Sequence, residues 1–281
     1  MGSFAVSDIS GRKNHLLNNA KAVFGTQEWA ESNANFINGC THDCKYCYSK
    51  AMAIRFGRKT SKDWKVEEIR KHSLQKRFKK TEGTIMFPSA HDICPDRLDA
   101  SLEFLENILS PGNNVLIVTK PHYRCIQAIC DKFSGFKDNI LFRFTIGSSN
   151  SEVLKFWEPG APDFEERLAC LRFASYKEFQ TSVSCEPMLD DNIGDVIQQV
   201  LPFVSDAIWI GKANSLLGRL KLNGETSNHT TKKAYELIEW QSNSNIMSLY
   251  CQFKDNPKIK WKESIKRIIG LEIPTKRGLD V

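Results

Sequence analysis

Asn35-Phe36-Ile37-Asn38-Gly39-Cys40-Thr41-His42-Asp43-Cys44-Lys45-Tyr46-Cys47-Tyr48 places three thiols at C-x3-C-x2-C spacing just after a short apolar run. Cysteines this close can turn inward on one loop and ligate one metal centre, and both zinc and iron-sulfur clusters accept such ligands. The spacing alone does not choose between them. A structural zinc site takes four protein ligands, here Cys40, Cys44 and Cys47 with His42 or a distant residue such as Cys94. His42 lies inside the same tight loop and is a poor fourth ligand. A four-iron cluster on three cysteines leaves one iron without a protein ligand, and an open position is what a metal centre needs to bind a cofactor.

Outward from this loop, strand-like and helix-like stretches alternate. Residues 34–38 read as a short strand, Gly39 relieves the backbone at the turn into the loop, and 49–56 are good helix formers that stop at Gly57. A basic helix is expected over 66–78, with Asp63 as its cap. Strands are expected over 84–87, 115–119, 140–146, 181–185, 207–210 and 246–251. Between them come helices over 97–109, 123–133, 163–176, 193–204 and 232–241. A last helix, capped by Asn256-Pro257, ends at Gly270. Strands separated by helices of ten or more residues point to a parallel sheet of right-handed βαβ units. Six or seven units with no glycine-rich dinucleotide loop favour an α/β fold, a partial (β/α) barrel of TIM type, with an open sheet as the alternative. The barrel would span 33–270 as one domain, with 1–32 an irregular lead-in packed on it and 271–281 a tail. Functional groups should gather at the carboxyl ends of the strands, and the cysteine loop follows the first strand as this rule requires.

The chain has 281 residues, enough to bury a substantial core, and nine cysteines. No N-terminal segment combines a basic start, an apolar run and a cleavage site, and no apolar stretch approaches the roughly 20 residues of a membrane span. A reducing cytoplasm with free or metal-bound thiols is therefore expected. The net charge of +6 is uneven: residues 55–80 hold eleven Lys or Arg against three acids, which leaves the remainder at −2. A basic patch beside a catalytic loop can draw in a polyanion such as nucleic acid, or it can be a solvated helix face.

The C-x3-C-x2-C spacing with Tyr46 just before the third cysteine resembles the radical S-adenosylmethionine (SAM) enzymes. The resemblance implies a 4Fe-4S cluster on Cys40, Cys44 and Cys47 whose open iron binds SAM, and reductive cleavage of SAM to a 5'-deoxyadenosyl radical that abstracts hydrogen from a substrate. It implies Tyr46 near the adenine, a flavodoxin- or ferredoxin-like electron donor, and a partial barrel with the cluster loop after strand one. Glu158-Pro159-Gly160-Ala161-Pro162 followed by Arg167-Leu168 resembles the spore photoproduct lyase-like branch, which implies lyase chemistry on nucleic acid. That branch uses a cysteine after strand two as hydrogen donor. Here Ser89 stands at that position and Cys94 lies five residues on, so Cys94 is the candidate catalytic thiol.

Further candidates lie at the strand ends. Ser89 matches the turn that holds the amino end of SAM in many family members, although this chain lacks the usual Gly-Gly-Glu-like sequence. His91 and Asp92 are ligand contacts or loop residues. Ser148 matches a position that meets the SAM ribose or carboxylate. Glu158 and Arg167 read better as a structural ion pair. Glu186, a carboxylate at the end of an apolar strand, needs a ligand or a cationic partner, and Lys212 is its natural counter-ion or that of a SAM carboxylate. Two other readings stay open: a radical SAM enzyme acting on a peptide or small metabolite, and a non-catalytic zinc-stapled nucleic-acid-binding protein.

Overall fold

The computed structural model describes residues 22–279; of the lead-in expected over 1–32, residues 1–21 lie outside the described residues. The chain enters at β1 (Ser32–Asn33) and then forms a small antiparallel ribbon of β2 (Ile37–Asn38) and β3 (Glu68–Ile69), with α1 (Tyr48–Arg55) between them. After the short α2 (Lys71–Leu74) come β4 (Thr84–Phe87), α3 (Leu98–Leu109), β5 (Asn114–Thr119), α4 (Tyr123–Lys132) and β6 (Ile140–Thr145). Next are α5 (Ser151–Trp157), α6 (Phe164–Tyr176), β7 (Gln180–Cys185), α7 (Ile193–Val200) and β8 (Ile208–Ile210). Helices α8 (Leu216–Asn223), α9 (Asn228–Trp240) and α10 (Asn243–Phe253) lead to β9 (Ile259–Trp261) and α11 (Glu263–Ile269). Seven strands pair in parallel in the order β1-β4-β5-β6-β7-β8-β9, and among the described residues no pairing joins β1 to β9. This is the expected partial barrel.

The helices cover the outer face of the sheet. In α3, Leu98, Phe104, Leu105 and Ile108 recur at helical spacing and are buried, and Ile126 and Ile129 of α4 and Leu168 and Leu171 of α6 do the same. Each fully buried aliphatic side chain contributes roughly 1.5–3 kcal/mol. Cys125, Cys130 and Cys170 belong to this layer as small buried apolar groups. A second core fills the concave face, where Trp29, Met86, Leu116 and Trp209 cluster and the two indoles meet edge to face at 5.7 Å. The segment before β1 reaches the far edge of the sheet: Glu28 pairs with Lys262, just after β9, at 2.8 Å, and Lys262 Nζ also donates to the Gly25 carbonyl at 3.0 Å. Residues 25–30 thus span the gap between the first and last strands. No helix among the described residues is long and apolar enough to cross a membrane.

Four expectations are corrected. The run 34–38 is not the first barrel strand: β1 precedes it, and Ile37–Asn38 pairs antiparallel with Glu68–Ile69. The helix expected over 66–78 shrinks to Lys71–Leu74, because backbone pairing with the segment before the cysteines wins over helix propensity there. Gly39 makes this pairing possible; with φ +102° it packs so closely that a Cβ would stand 2.5 Å from the Val66 carbonyl oxygen and 2.7 Å from that of Trp64. The strand expected over 246–251 is helical, since Ile246 and Leu249 are buried three residues apart while Met247 is exposed, and the seventh strand is Ile259–Trp261. Asn256-Pro257 opens that strand rather than a helix, with Asn256 Oδ1 accepting from Lys258 N at 3.0 Å. The last helix does end at Gly270, whose φ is +76°.

Candidate metal centre and active site

The cysteine loop is fixed by contacts from distant segments. Lys45 N donates to the Trp157 carbonyl at 2.9 Å, Gly160 N to the His42 carbonyl at 3.0 Å and Cys40 N to the Trp64 carbonyl at 3.0 Å. Asn223 Nδ2 donates to the carbonyls of Lys45 at 2.8 Å and Cys47 at 3.0 Å. Cys47 caps α1, its sulfur accepting from Lys50 N at 3.3 Å. Asp43 sits in the left-handed region at φ 44° and pairs with the buried Lys50 at 2.7 Å. The Glu158-Pro159-Gly160-Ala161-Pro162 segment therefore has a physical role, since it lies directly on the backbone of the cysteine loop.

Cys40, Cys44 and Cys47 open on one cavity of about 150 Å³, which Ser89, Asp92 and Lys120 also line. It lies at the carboxyl ends of β4 and β5. A bond to Cys94, together with burial, pushes the Cys40 thiol up, and burial does the same for Cys44 and Cys47. A bound cation is what converts such thiols to thiolates. The donor set suits a cluster with an open corner: three thiols face the cavity, while the fourth nearby thiol, Cys94, does not line it.

Beneath the cavity lies a buried polar network. Arg167 and Glu158, both fully buried, pair at 2.5 Å, and Arg167 also donates to the carbonyls of Pro162 at 2.9 Å and Thr145 at 3.0 Å. The Tyr46 hydroxyl donates to the other Glu158 oxygen, and Lys120 Nζ stands 3.8 Å from it. Burial acts to raise the Glu158 carboxyl, but Arg167 and Lys120 outweigh it and hold the group below the usual range. Glu158 and Arg167 are thus the structural pair expected. Tyr46 is a post under the loop, with its phenol held neutral by burial and by the neighbouring Glu158 charge.

The remaining candidates separate. Ser89 stands at the cavity wall, bonded to Asn35 Nδ2 at 2.9 Å. Asp92 is buried at the centre of a donor shell: Ile93 N at 2.8 Å, Lys120 N at 3.0 Å and the Thr119 hydroxyl. Burial acts against its charge, and His42 and Lys120 more than reverse that, so it stays well below the usual carboxylate range. His91 is packed against Phe36 and Phe87, and burial lowers it to about 4. Cys94 accepts a hydrogen bond from the Thr41 hydroxyl at 2.9 Å. Ser148, Glu186 and Lys212 do not line this cavity. Ser148 donates to Asp190. The counter-ion of Glu186 is Lys262 at 3.5 Å, not Lys212, which lines a separate surface pocket beside α8. Lys120 went unrecognised in the sequence; the only signal was its place as the first residue after β5.

A family profile described as "Radical SAM superfamily" matches residues 34–196. An uncharacterized protein, ORF301, of Acidianus two-tailed virus is 26% identical over 170 residues; the match covers 56% of this chain and 56% of that relative, so the chain spans about half the relative's length. Among solved structures, spore photoproduct lyase complexed with a dinucleoside spore photoproduct aligns with TM-score 0.51 and 15% identity, covering 75% of this chain and 66% of that one. Streptococcus suis SuiB bound to S-adenosylmethionine aligns with TM-score 0.50 and 9% identity, covering 88% of this chain and 54% of that one. At these identities the structural likeness speaks for the fold.

Proposed function

The chain belongs to the radical SAM superfamily, and from that membership we propose that it is an iron-sulfur enzyme that cleaves SAM reductively and abstracts hydrogen from a nucleic-acid substrate. The observation that carries the reading is the opening of Cys40, Cys44 and Cys47 on one cavity at the strand ends, within the residues matched by the family. When bound there, a 4Fe-4S cluster with one iron free of protein ligands supplies the SAM site and the electron for its cleavage, taken from a flavodoxin- or ferredoxin-like donor. The chain's own residues orient and enclose. Lys120 brings a cation to the cavity, suited to a carboxylate, and Ser89 offers a hydroxyl that Asn35 holds in place.

Nucleic acid is favoured as substrate by the surface beside the cysteine loop. Of the eleven basic residues in 55–80, all but Lys59 are exposed, although Lys79 and Lys80 lie at the opposite ends of the strands, against Gly112 and Asn113 just before β5. One exposed aromatic stands among them: the Phe56 ring has the guanidinium of Arg55 at 6.0 Å and that of Arg58 at 5.9 Å. Tyr48, next to Cys47, is exposed with Arg219 at 5.4 Å. Cations that track phosphates beside rings that stack on bases are what single-stranded or extruded nucleotides require. A peptide or small metabolite is the second reading, supported by a cavity of about 490 Å³ with Trp157, Trp240, Asp190 and His229 in its wall.

The test is iron and sulfide content after anaerobic reconstitution, followed by assay of 5'-deoxyadenosine formed from SAM with dithionite. About four irons per chain with deoxyadenosine formation is expected. One zinc per chain and no SAM cleavage would instead leave a zinc-stapled binding protein. Binding to a single-stranded oligonucleotide should weaken steeply with added salt; salt-independent or undetectable binding would turn the substrate reading to a peptide or metabolite.

A further inference from the structure

His42 lies in the cavity wall, and its two ring nitrogens face two different neighbours. Nδ1 is 3.1 Å from Asp92 Oδ2, and Nε2 is 2.8 Å from Nε2 of His122, which follows β5. Asp92, within its shell of donors, lies beside the Nδ1 edge of His42, which leaves Nε2 as the nitrogen turned towards His122. His122 has its Nδ1 3.8 Å from the Glu166 carboxylate, beyond hydrogen-bond distance. At 2.8 Å the two imidazole nitrogens share either a proton or a metal ion. A third donor is close by: the Cys94 sulfur, one ring nitrogen of His42 and one of His122 all lie within 4.8 Å of one another.

Two imidazole nitrogens and a thiolate are a donor set that Zn²⁺ takes, and a carboxylate behind each ligating histidine is the usual outer support of such sites. We propose that His42, His122 and Cys94 form a second metal site, for a divalent transition metal of the zinc class, beside the iron-binding thiols. Water completes the four-coordinate shell, and the Cys94 thiol releases its proton on coordination. Nitrogens about 2.0–2.1 Å from a tetrahedral centre stand roughly 3.3 Å apart. The His122 side chain is 21% exposed and has room to retreat by the required ~0.5 Å. The ion ties together the cysteine loop, the loop after β4 and the loop after β5. Its role is to hold in register the three loops that form the cavity.

The proposal rests on the cluster reading only in that iron must occupy Cys40, Cys44 and Cys47, and the experiment reads the two metals separately. Protein reconstituted anaerobically with iron and sulfide is dialysed against Zn²⁺, passed over a chelating resin and analysed for both metals, with X-ray absorption at the zinc edge. The expected result is one zinc per chain in addition to the iron, in a shell of mixed nitrogen and sulfur. His122→Ala should lose the zinc and keep its iron and its visible absorbance. Iron-loaded protein that retains no zinc overturns the site and leaves the cluster reading intact. Zinc that persists in His122→Ala, or an all-sulfur zinc shell, also overturns it; if iron fails to bind as well, the cysteines themselves are the zinc site and both readings fall.

Discussion

Replacing Gly160 by alanine tests whether the loop that carries the thiols is held from outside. Gly160 lies far from the cysteines in sequence and is not a ligand, and its φ is not in the left-handed region, so alanine adds no backbone strain. The new Cβ would run into the Thr41 carbonyl oxygen, well inside contact distance, and stand 3.0 Å from His42 Cα. Backbone cannot yield as a flexible side chain does, so the loop must retreat by about 1 Å to restore ordinary contact. Overpacking of this kind costs about 1–3 kcal/mol, and the bond from Gly160 N to the His42 carbonyl, worth about 1 kcal/mol, is lost with it. A total of about 2–4 kcal/mol corresponds to a melting point lower by roughly 4–8 °C. Iron retained after anaerobic reconstitution should fall below half the wild-type amount. Gly218→Ala is the control, because its Cβ meets nothing within 4 Å and it lies inside α8, where alanine is neutral or better. A Gly160→Ala protein with full iron and an unchanged melting point would refute the account of how the loop is held.

Arg167→Leu leaves the Glu158 carboxylate buried with Lys120 at 3.8 Å as its remaining charged partner, and should cost about 3–5 kcal/mol in denaturant melts. Adding Glu158→Leu should recover most of that loss, and a double variant no better than the single would show that the pair is not the cause. His91 links stability to pH: its unfolded value near 6.5 drops to about 4 on burial. The unfolded chain binds a proton that the folded chain refuses, so stability is fully present above pH 6.5 and declines by about 3 kcal/mol as pH falls towards 4. His91→Phe should flatten that decline relative to wild type, and identical slopes would exclude His91 as its source. Cys44→Ala should abolish iron binding and deoxyadenosine formation while the far-ultraviolet circular dichroism stays that of wild type; full iron in this variant would remove Cys44 from the ligand set.

The sequence was most legible where a local pattern has a single physical solution. The β-branched run Val115–Thr119 and the spacing of Leu98, Phe104, Leu105 and Ile108 placed β5 and α3 to within a residue. The three thiols could be placed on one cavity because close spacing leaves a loop little choice. The Glu158–Arg167 pair was legible as well, since two charges entering a buried layer must neutralise each other. Less legible was whatever depends on closure of the sheet. Lys262 meets Glu186 and Glu28 only because the first and last strands curve round towards one another, and nothing near any of these residues records it. Ile246 and Leu249 are as apolar as a strand, and only the exposure of Met247 between them reveals the helix. Lys120 and His122 carry no motif; their meaning comes from the loop after β5 lying over the cysteines.

The cysteine loop is bonded to Trp64, Trp157, Gly160 and Asn223, none of which needs a metal to hold its position. A zinc finger folds only when its ion arrives, because its ligands have no other reason to meet. Here the ligands are already assembled by the barrel. If these thiols hold the proposed cluster, its loss to oxygen would therefore be a loss of cargo rather than of fold, and an emptied chain could be refilled in place without passing through the unfolded ensemble.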